Sequence, residues 1–228
     1  MNFPDPELLT GMLAAWLLLL AAALWARRDG IGVTKPMLLA SLRGLVQLLL
    51  LAYVLHFIFD LSHPLAQAAI VLGFCLIAAR ISAGHHPHFN RAWLATTLGL
   101  AAASLFTLPW LVFTGAISGE TRALIPLASM VVANGMNAVS LMFNRMEKST
   151  EVATGIKAAL IPSIDTLRVV GLVHMPGIFV GMILAGAAPL TAAAAQLVVL
   201  YMIVASNFTA CIVTWYFLQR GNNQPTCA

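Results

Sequence analysis

The stretch Ala159–Gly177, ALIPSIDTLRVVGLVHMPG, sets the problem on which the reading turns. Most of it is apolar enough to lie in a bilayer, yet it holds an aspartate, an arginine and a histidine, with a proline near each end. An ion at membrane depth costs several kcal/mol or more unless it is paired or faces water. Asp165 and Arg168 are three apart, so on a helix they share a face and can pair, with Ser163 and Thr166 adding hydroxyls beside them. Such a pair either staples its helix to neighbouring helices or lines and gates a passage. Pro162 falls near the expected helix start, where a missing N–H is harmless. Pro176-Gly177 falls in the interior, where proline removes a helix bond and bends the axis. The apolar run Ala158–Gly186 would be about 43 Å long as one helix, too long for about 30 Å of hydrocarbon. A break at Pro176-Gly177 is therefore expected, and broken helices in membranes often mark transport sites. His174 lies just before the break, beside carbonyls that the break would free, and suits either packing or ligation. Beyond it Gly177, Gly181 and Ala185 repeat every four residues, a small-residue stripe fit for close helix packing or a subunit interface.

Composition fixes the class. Of 228 residues, 61% are hydrophobic and only 9% charged, with mean hydropathy +0.91. A soluble domain carries about a quarter charged residues, so this chain could not cover a soluble surface. Short alternating segments of a β-barrel are absent. The reading is an all-α integral membrane protein, a single transmembrane domain over residues 1–228 with about seven helices. They are placed at Glu7–Ala26, Pro36–Phe59, Pro64–Ala83, Ala92–Ile117, Arg122–Phe143, Ala158–Gly186 and Pro189–Leu218.

Charges orient them. With the N-terminus outside and the C-terminus cytoplasmic, the inner segments hold Arg27, Arg28, Lys35, Arg80, Arg91, Arg145, Lys148, Lys157 and Arg220. The outer segments hold only Arg122 among basic residues, together with Asp5, Glu7, Asp60 and Glu120. This is the positive-inside pattern. The acidic start MNFPDPELL is unlike the basic start of a signal peptide, so a retained first helix is expected. The net charge of +4 then reflects topology and anionic lipid rather than nucleic acid. Cys75, Cys211 and Cys227 are widely spaced, with no metal or redox pairing, and the first two read as small apolar fillers. No Walker A sequence is present, so no ATP or Mg²⁺ is expected on this chain.

Other polar groups fall within spans. In the fifth helix Asn134 and Asn137 share a face, and with Met136 they either bond across helices or line a path. In the second, Arg43 and Gln47 are four apart, and Arg43 can also snorkel to phosphate head groups. The loop GHHPHFNR brings His85, His86 and His88 together, but without a nearby Asp, Glu or Cys it makes a poor closed metal site, so the metal content stays unknown. No serine-nucleophile motif or set of several histidine clusters points to an enzyme.

Three blocks, SLRGLVQLLLLAYVL, IPLASMVVANGMNAVSL and above all ALIPSIDTLRVVGLVHMPGIFVGMILAGAAPLTAAAAQLVVLYM, resemble the FetB family of ABC-transporter permeases. The resemblance runs from about Leu39 to Phe217. It matches Arg43 and Gln47, then Pro126, Asn134 and Met136, then Pro162, Gly171, Pro176, Gly177, Gly181, Gly186, Pro189 and Gln196. The family implies a homodimeric permease that works with a separate cytoplasmic ATPase, itself the holder of ATP and Mg²⁺, and exports solute across the plasma membrane (the inner membrane in bacteria). Bacterial members are tied to iron export and plant relatives to nucleotide sugars. A substrate pathway or gate of Arg43, Gln47, Asn134, Met136, Asn137, Asp165, Arg168 and His174 follows, with a hinge at Pro176 and Gly177. ATPase coupling falls to Glu151, Gly155, Lys157 and Pro162. The segment between the fifth and sixth helices is shorter here than the family's, and His174-Met175 replaces the family's Leu before Pro-Gly. The short segment leaves open a transporter or channel that runs without ATP.

Overall fold

The protein is described here from a computed structural model, which places residues 6–60, 63–146 and 152–222. Eight helices follow in order: α1 Pro6–Arg28, α2 Thr34–Phe59, α3 Pro64–Ala83, α4 Phe89–Phe113, α5 Thr121–Met146, α6 Val152–Val169, α7 Gly177–Leu184 and α8 Pro189–Asn222. Six of them (α1 to α5 and α8) are long and apolar enough to cross a membrane. The chain is a multi-pass helical membrane protein. It groups into two units, α1 with α2, and α3 to α8.

In the first unit the chain turns through Gly30 and Gly32, both at positive φ (69° and 76°), a conformation that glycine adopts without a Cβ penalty. Thr34 Oγ1 donates to the Ala23 carbonyl at 2.9 Å and ties the start of α2 to α1. Arg27 and Arg28 close α1. From Leu42 to Leu51 every residue of α2 is exposed, Arg43 and Gln47 included.

The second unit has a continuous core. Cys75, Leu100, Val139, Met142, Phe143, Ala210 and Cys211 are buried in one cluster, the two cysteines free and acting as small apolar filler. Glycines let the helices approach. A Cβ on Gly99 would strike Thr214 Oγ1 and lie 2.7 Å from the Ala210 carbonyl, so α4 and α8 meet nearly backbone to backbone. A Cβ on Gly135 would lie 2.7 Å from Leu100 and 3.5 Å from Ala210. Gly99, Leu100, Gly135 and Ala210 thus share one level, near the middle of α4 and of α5.

The remaining levels follow. Leu108, Ala128, Val199 and Met202 cluster towards the end that carries Glu120. Phe143 and Leu218 pack towards the end that carries Arg80, Arg91 and Arg145, which the positive-inside rule makes cytoplasmic. Gly155 sits against Met142 and Met146, so α6 starts at the inner end and runs outward.

The sixth crossing of this arrangement differs from one kinked helix over Ala158–Gly186. It begins at Val152, stops at Val169 and resumes as α7 at Gly177. The break occupies Val170–Pro176, with Gly171 at φ 82°, and the helix restarts where Pro176-Gly177 was expected to interrupt it. Pro162 is correspondingly ten residues inside α6 rather than at its start. The fourth helix ends at Phe113, short of Ile117, and the last continues to Asn222.

Substituting Gly99→Ala should lower stability by about 1–3 kcal/mol through overpacking. Gly73→Ala, where nothing lies within 4 Å of the added methyl, should be neutral or slightly stabilising. Thermal unfolding of the two variants in one detergent checks the contrast.

Candidate functional site

A polar site in this fold centres on α6. Arg168 Nη1 donates to Asp165 Oδ1 at 2.8 Å, the spacing of three placing both on one helix face. The pair is closed within α6 and stands outward, with Arg168 73% and Asp165 52% exposed. It makes no described bond to another helix.

The tie from α6 to its neighbour is a different one. Asn207 on α8, 2% exposed, donates through Nδ2 to Ser163 Oγ at 2.7 Å. Asn207 lies three residues outward of Ala210, and therefore about 4.5 Å from the level of Gly99, Leu100 and Gly135. Continuing up an upright α6 puts Asp165 about 8 Å and Arg168 about 12 Å outward of the midplane. Both fall within the outer half of a hydrocarbon layer about 30 Å thick, and helix tilt only brings them nearer its centre.

Above the pair the backbone leaves the helix. The Val169 carbonyl accepts from the N–H groups of Leu172, Val173 and His174, and the Gly171 N–H donates to the His174 carbonyl at 3.0 Å. Leu172, Val173 and Met175 are 87%, 83% and 70% exposed. His174 is exposed too, while Pro176 is buried. Neither Gly177 nor Gly181 has anything within 4 Å of an added Cβ, so the small-residue stripe of α7 faces open space.

The expected pathway residues do not all converge. Asn134 donates to the Met130 carbonyl within α5 at 2.9 Å, while Asn137 is exposed. The Met136 carbonyl accepts from Ser82 on α3 and from Ser140. Arg43 and Gln47 belong to the other unit. Of the expected coupling residues, Gly155 and Lys157 lie in the first turns of α6, at its inner end. Pro162 is near mid-depth and away from that end, because the helix begins earlier than its apolar run does. Glu151 lies outside the described residues.

The histidine loop is built differently from a metal site. His86 Nδ1 accepts from the His88 N–H at 3.1 Å, and its ring lies 5.0 Å from that of Phe143. Burial, then the neighbouring His88, hold its pKa below the ordinary 6.5. Among the described residues no three His, Cys, Asp or Glu side chains converge.

Sequence reading missed three features: Asn207 with Ser163, the Ser82–Ser140 bond at 3.0 Å, and Gln67 donating to Thr121 at 2.7 Å. Asn207 and Gln196 each also keep a buried side-chain oxygen without a described partner. Gln196, Asn207 and Thr214 are eleven and seven apart, which puts them on one stripe of α8. That spacing was the available signal.

Comparison with known proteins agrees with this architecture. The model of a family described as "Uncharacterised protein family (UPF0014)" matches residues 9–155 and 149–221. The chain belongs to that family. Its relatives include the probable iron export permease protein FetB of Escherichia coli, 28% identical over 90% of this chain and 88% of the relative. The UPF0014 membrane protein YjkA of Bacillus subtilis is 29% identical over 80% and 82%. A plant member, the protein ALUMINUM SENSITIVE 3 of Arabidopsis thaliana, is 27% identical over 89% and 83%. No solved structure matches. The family's two matched segments overlap at residues 149–155, a stretch that runs into the first turn of α6.

Two outcomes test the site's supports. Ser163→Ala leaves the buried Asn207 amide without its acceptor and should cost about 1–3 kcal/mol, while Asn207→Leu, which removes the amide as well, should cost less. Equal losses in chemical unfolding would contradict the assignment. For His86, a folded pKa below the unfolded one means that the unfolded chain binds more protons, so stability falls as pH drops below 6.5. His86→Phe should flatten the fall in unfolding midpoint between about pH 7.5 and 5.5.

Proposed function

We propose that this chain is the permease subunit of an ATP-driven exporter, in which two copies enclose a wet passage against α6. The observation that carries this reading is the exposed Asp165–Arg168 pair within the hydrocarbon layer. Such a pair is stable only against water or another protein surface, and a passage between copies supplies either. The open glycine face of α7 supports a second copy, since small residues let helices approach closely. The name of the Escherichia coli relative supports a metal ion, iron first, as the solute. The chain is no enzyme on this reading. With no Walker A sequence here, ATP is hydrolysed by a separate cytoplasmic chain docked at the inner start of α6, beside Gly155 and Lys157. Orientation and relatives support the plasma membrane, the inner membrane in bacteria. Tilting of α6 would switch access, with Pro176-Gly177 as the joint that lets the outer half, α7, move separately.

One observation favours a second reading, transport without ATP. The family match falls in two segments that overlap at 149–155, where a docking segment would lie. Gentle purification of a tagged chain from its own membranes separates the two: a stoichiometric ATPase supports the first reading, and the chain alone beside an intact ATPase supports the second.

The paired neutral variant Asp165→Asn with Arg168→Gln tests the site itself. A merely structural pair tolerates loss of both charges, often with a gain in stability. A passage-lining pair does not, and ⁵⁵Fe flux in inverted vesicles should fall by at least about tenfold, a 1.4 kcal/mol change in the barrier. Wild-type flux from a folded double variant would sink the proposal.

A further inference from the structure

A second feature of the α3 to α8 unit lies away from α6. Between α3, α4 and the start of α5 is a cavity of about 640 Å³, within the range of small-ligand sites. Its α3 wall runs from Pro64 to Cys75 and its α4 wall from Ala101 to Phe113, about 16 and 18 Å along the helices. It therefore extends from the outer ends of these helices down to the level of Leu100, the middle of the bilayer. No charged residue lines it. Apart from Gln67, whose amide N–H already donates to Thr121 at 2.7 Å, its flanks are apolar and turned outward, with Leu105 76% and Phe113 85% exposed. The slot opens sideways into the outer leaflet.

Its floor is not wholly apolar. Ser104 lines the cavity and is 4% exposed, and its hydroxyl meets no oxygen or nitrogen partner among the described residues. The neighbouring Cys75 thiol is a weak partner for it. One turn outward, Pro109 has no N–H to give the Leu105 carbonyl, and both residues line the same wall. The hydroxyls of Thr97, Thr107 and Ser140 close onto a carbonyl one turn back; those of Thr96 and Thr214 also lack a described partner but do not line the cavity. A hydroxyl left with only a weak thiol partner in a dry cavity is costly, and a plain hydrocarbon chain leaves it so.

We propose that this slot binds an uncharged lipophile drawn sideways from the outer leaflet, whose apolar body fills the α3–α4 walls and whose single hydrogen-bonding oxygen meets Ser104. The site stands apart from the Asp165–Arg168 pair and does not rest on the transport reading.

The test uses the full chain in vesicles of phosphatidylethanolamine and phosphatidylglycerol, with two photoreactive probes, a diazirine-bearing hexadecanol and the matching hexadecane. Labelled residues are mapped by mass spectrometry. The alcohol should label the α3 and α4 walls about fivefold more than the alkane, the ratio that one hydrogen bond gives in such a site. Ser104→Ala should abolish that preference while leaving alkane labelling intact. Ala68→Phe, on the exposed wall of the slot, should remove both labels there and spare the lipid-facing Leu94, with thermal unfolding confirming that both variants fold. Equal labelling by the two probes, indifference to Ala68→Phe, or a slot that takes no probe and crosslinks to α1 or α2 instead would each overturn the proposal.

Discussion

Hydrocarbon offers no hydrogen-bond partner, and this constraint orders the polar groups of the chain. Within the α3 to α8 unit most spanning hydroxyls and amides close locally or across a helix contact: Gln67 onto Thr121, Ser82 onto Ser140 and the Met136 carbonyl, Asn134 onto the Met130 carbonyl, Asn207 onto Ser163. Each removes a cost of the kind that unpaired groups carry in lipid. A few buried atoms, such as the Gln196 and Asn207 side-chain oxygens, lack a described partner, but the segment Asp165–Met175 departs furthest from that background. It turns an ion pair outward within the hydrocarbon layer and, from Val170 on, a stretch of non-helical backbone outward at that layer's outer edge. An ion pair inside that layer survives where it is covered by protein or faces water.

The same segment is the least anchored of the unit. α6 buries only Gly155 and Ala159, and α7 buries nothing. By contrast α4 and α8 are joined through Gly99, and α5 meets both through Gly135. Local opening and motion draw on elements with few buried contacts. A rigid core of α3, α4, α5 and α8 with a loosely held α6–α7 arm is the division of labour that a gate requires, since helix packing as close as that at Gly99 admits no sliding without a clash.

The sequence disclosed this arrangement unevenly, for physical reasons. The spans were legible because length and apolarity suffice to define them, and the charge bias gave their direction. The Asp165–Arg168 contact was legible because a spacing of three on a helix leaves few alternatives. Which face of each helix meets protein was not, because lipid-facing and core-facing sides are equally apolar. Cys75 and Leu105 look alike to a periodicity argument, though one is buried and the other exposed. The start of α6 was hidden for the opposite reason: Val152–Lys157 is polar enough to read as loop. Pro162 was therefore assigned to a helix start that lies ten residues earlier. Asn207 went unnoticed because a neutral amide in a span carries no charge signal, although its place on the stripe with Gln196 and Thr214 marks it.

Asn207 also explains how a loosely held arm keeps its register. Gly155 fixes the inner end of α6 against Met142 and Met146, and the Asn207–Ser163 bond fixes its middle against α8. These two points are eight residues apart, about 12 Å, and beyond the second the described structure shows no polar tie from α6 to another helix. Rotation about the first two contacts would therefore displace Asp165, Arg168 and the break together, while the inner end stayed seated. On the proposed reading, a force applied at the cytoplasmic start of α6 would be delivered to the outer leaflet as a swing of the charged pair. The polar part of the seam that resists it is one neutral hydrogen bond, worth about 1 kcal/mol, and the rest is apolar packing, such as that of Ile178 against the cluster of Leu108, Val199 and Met202.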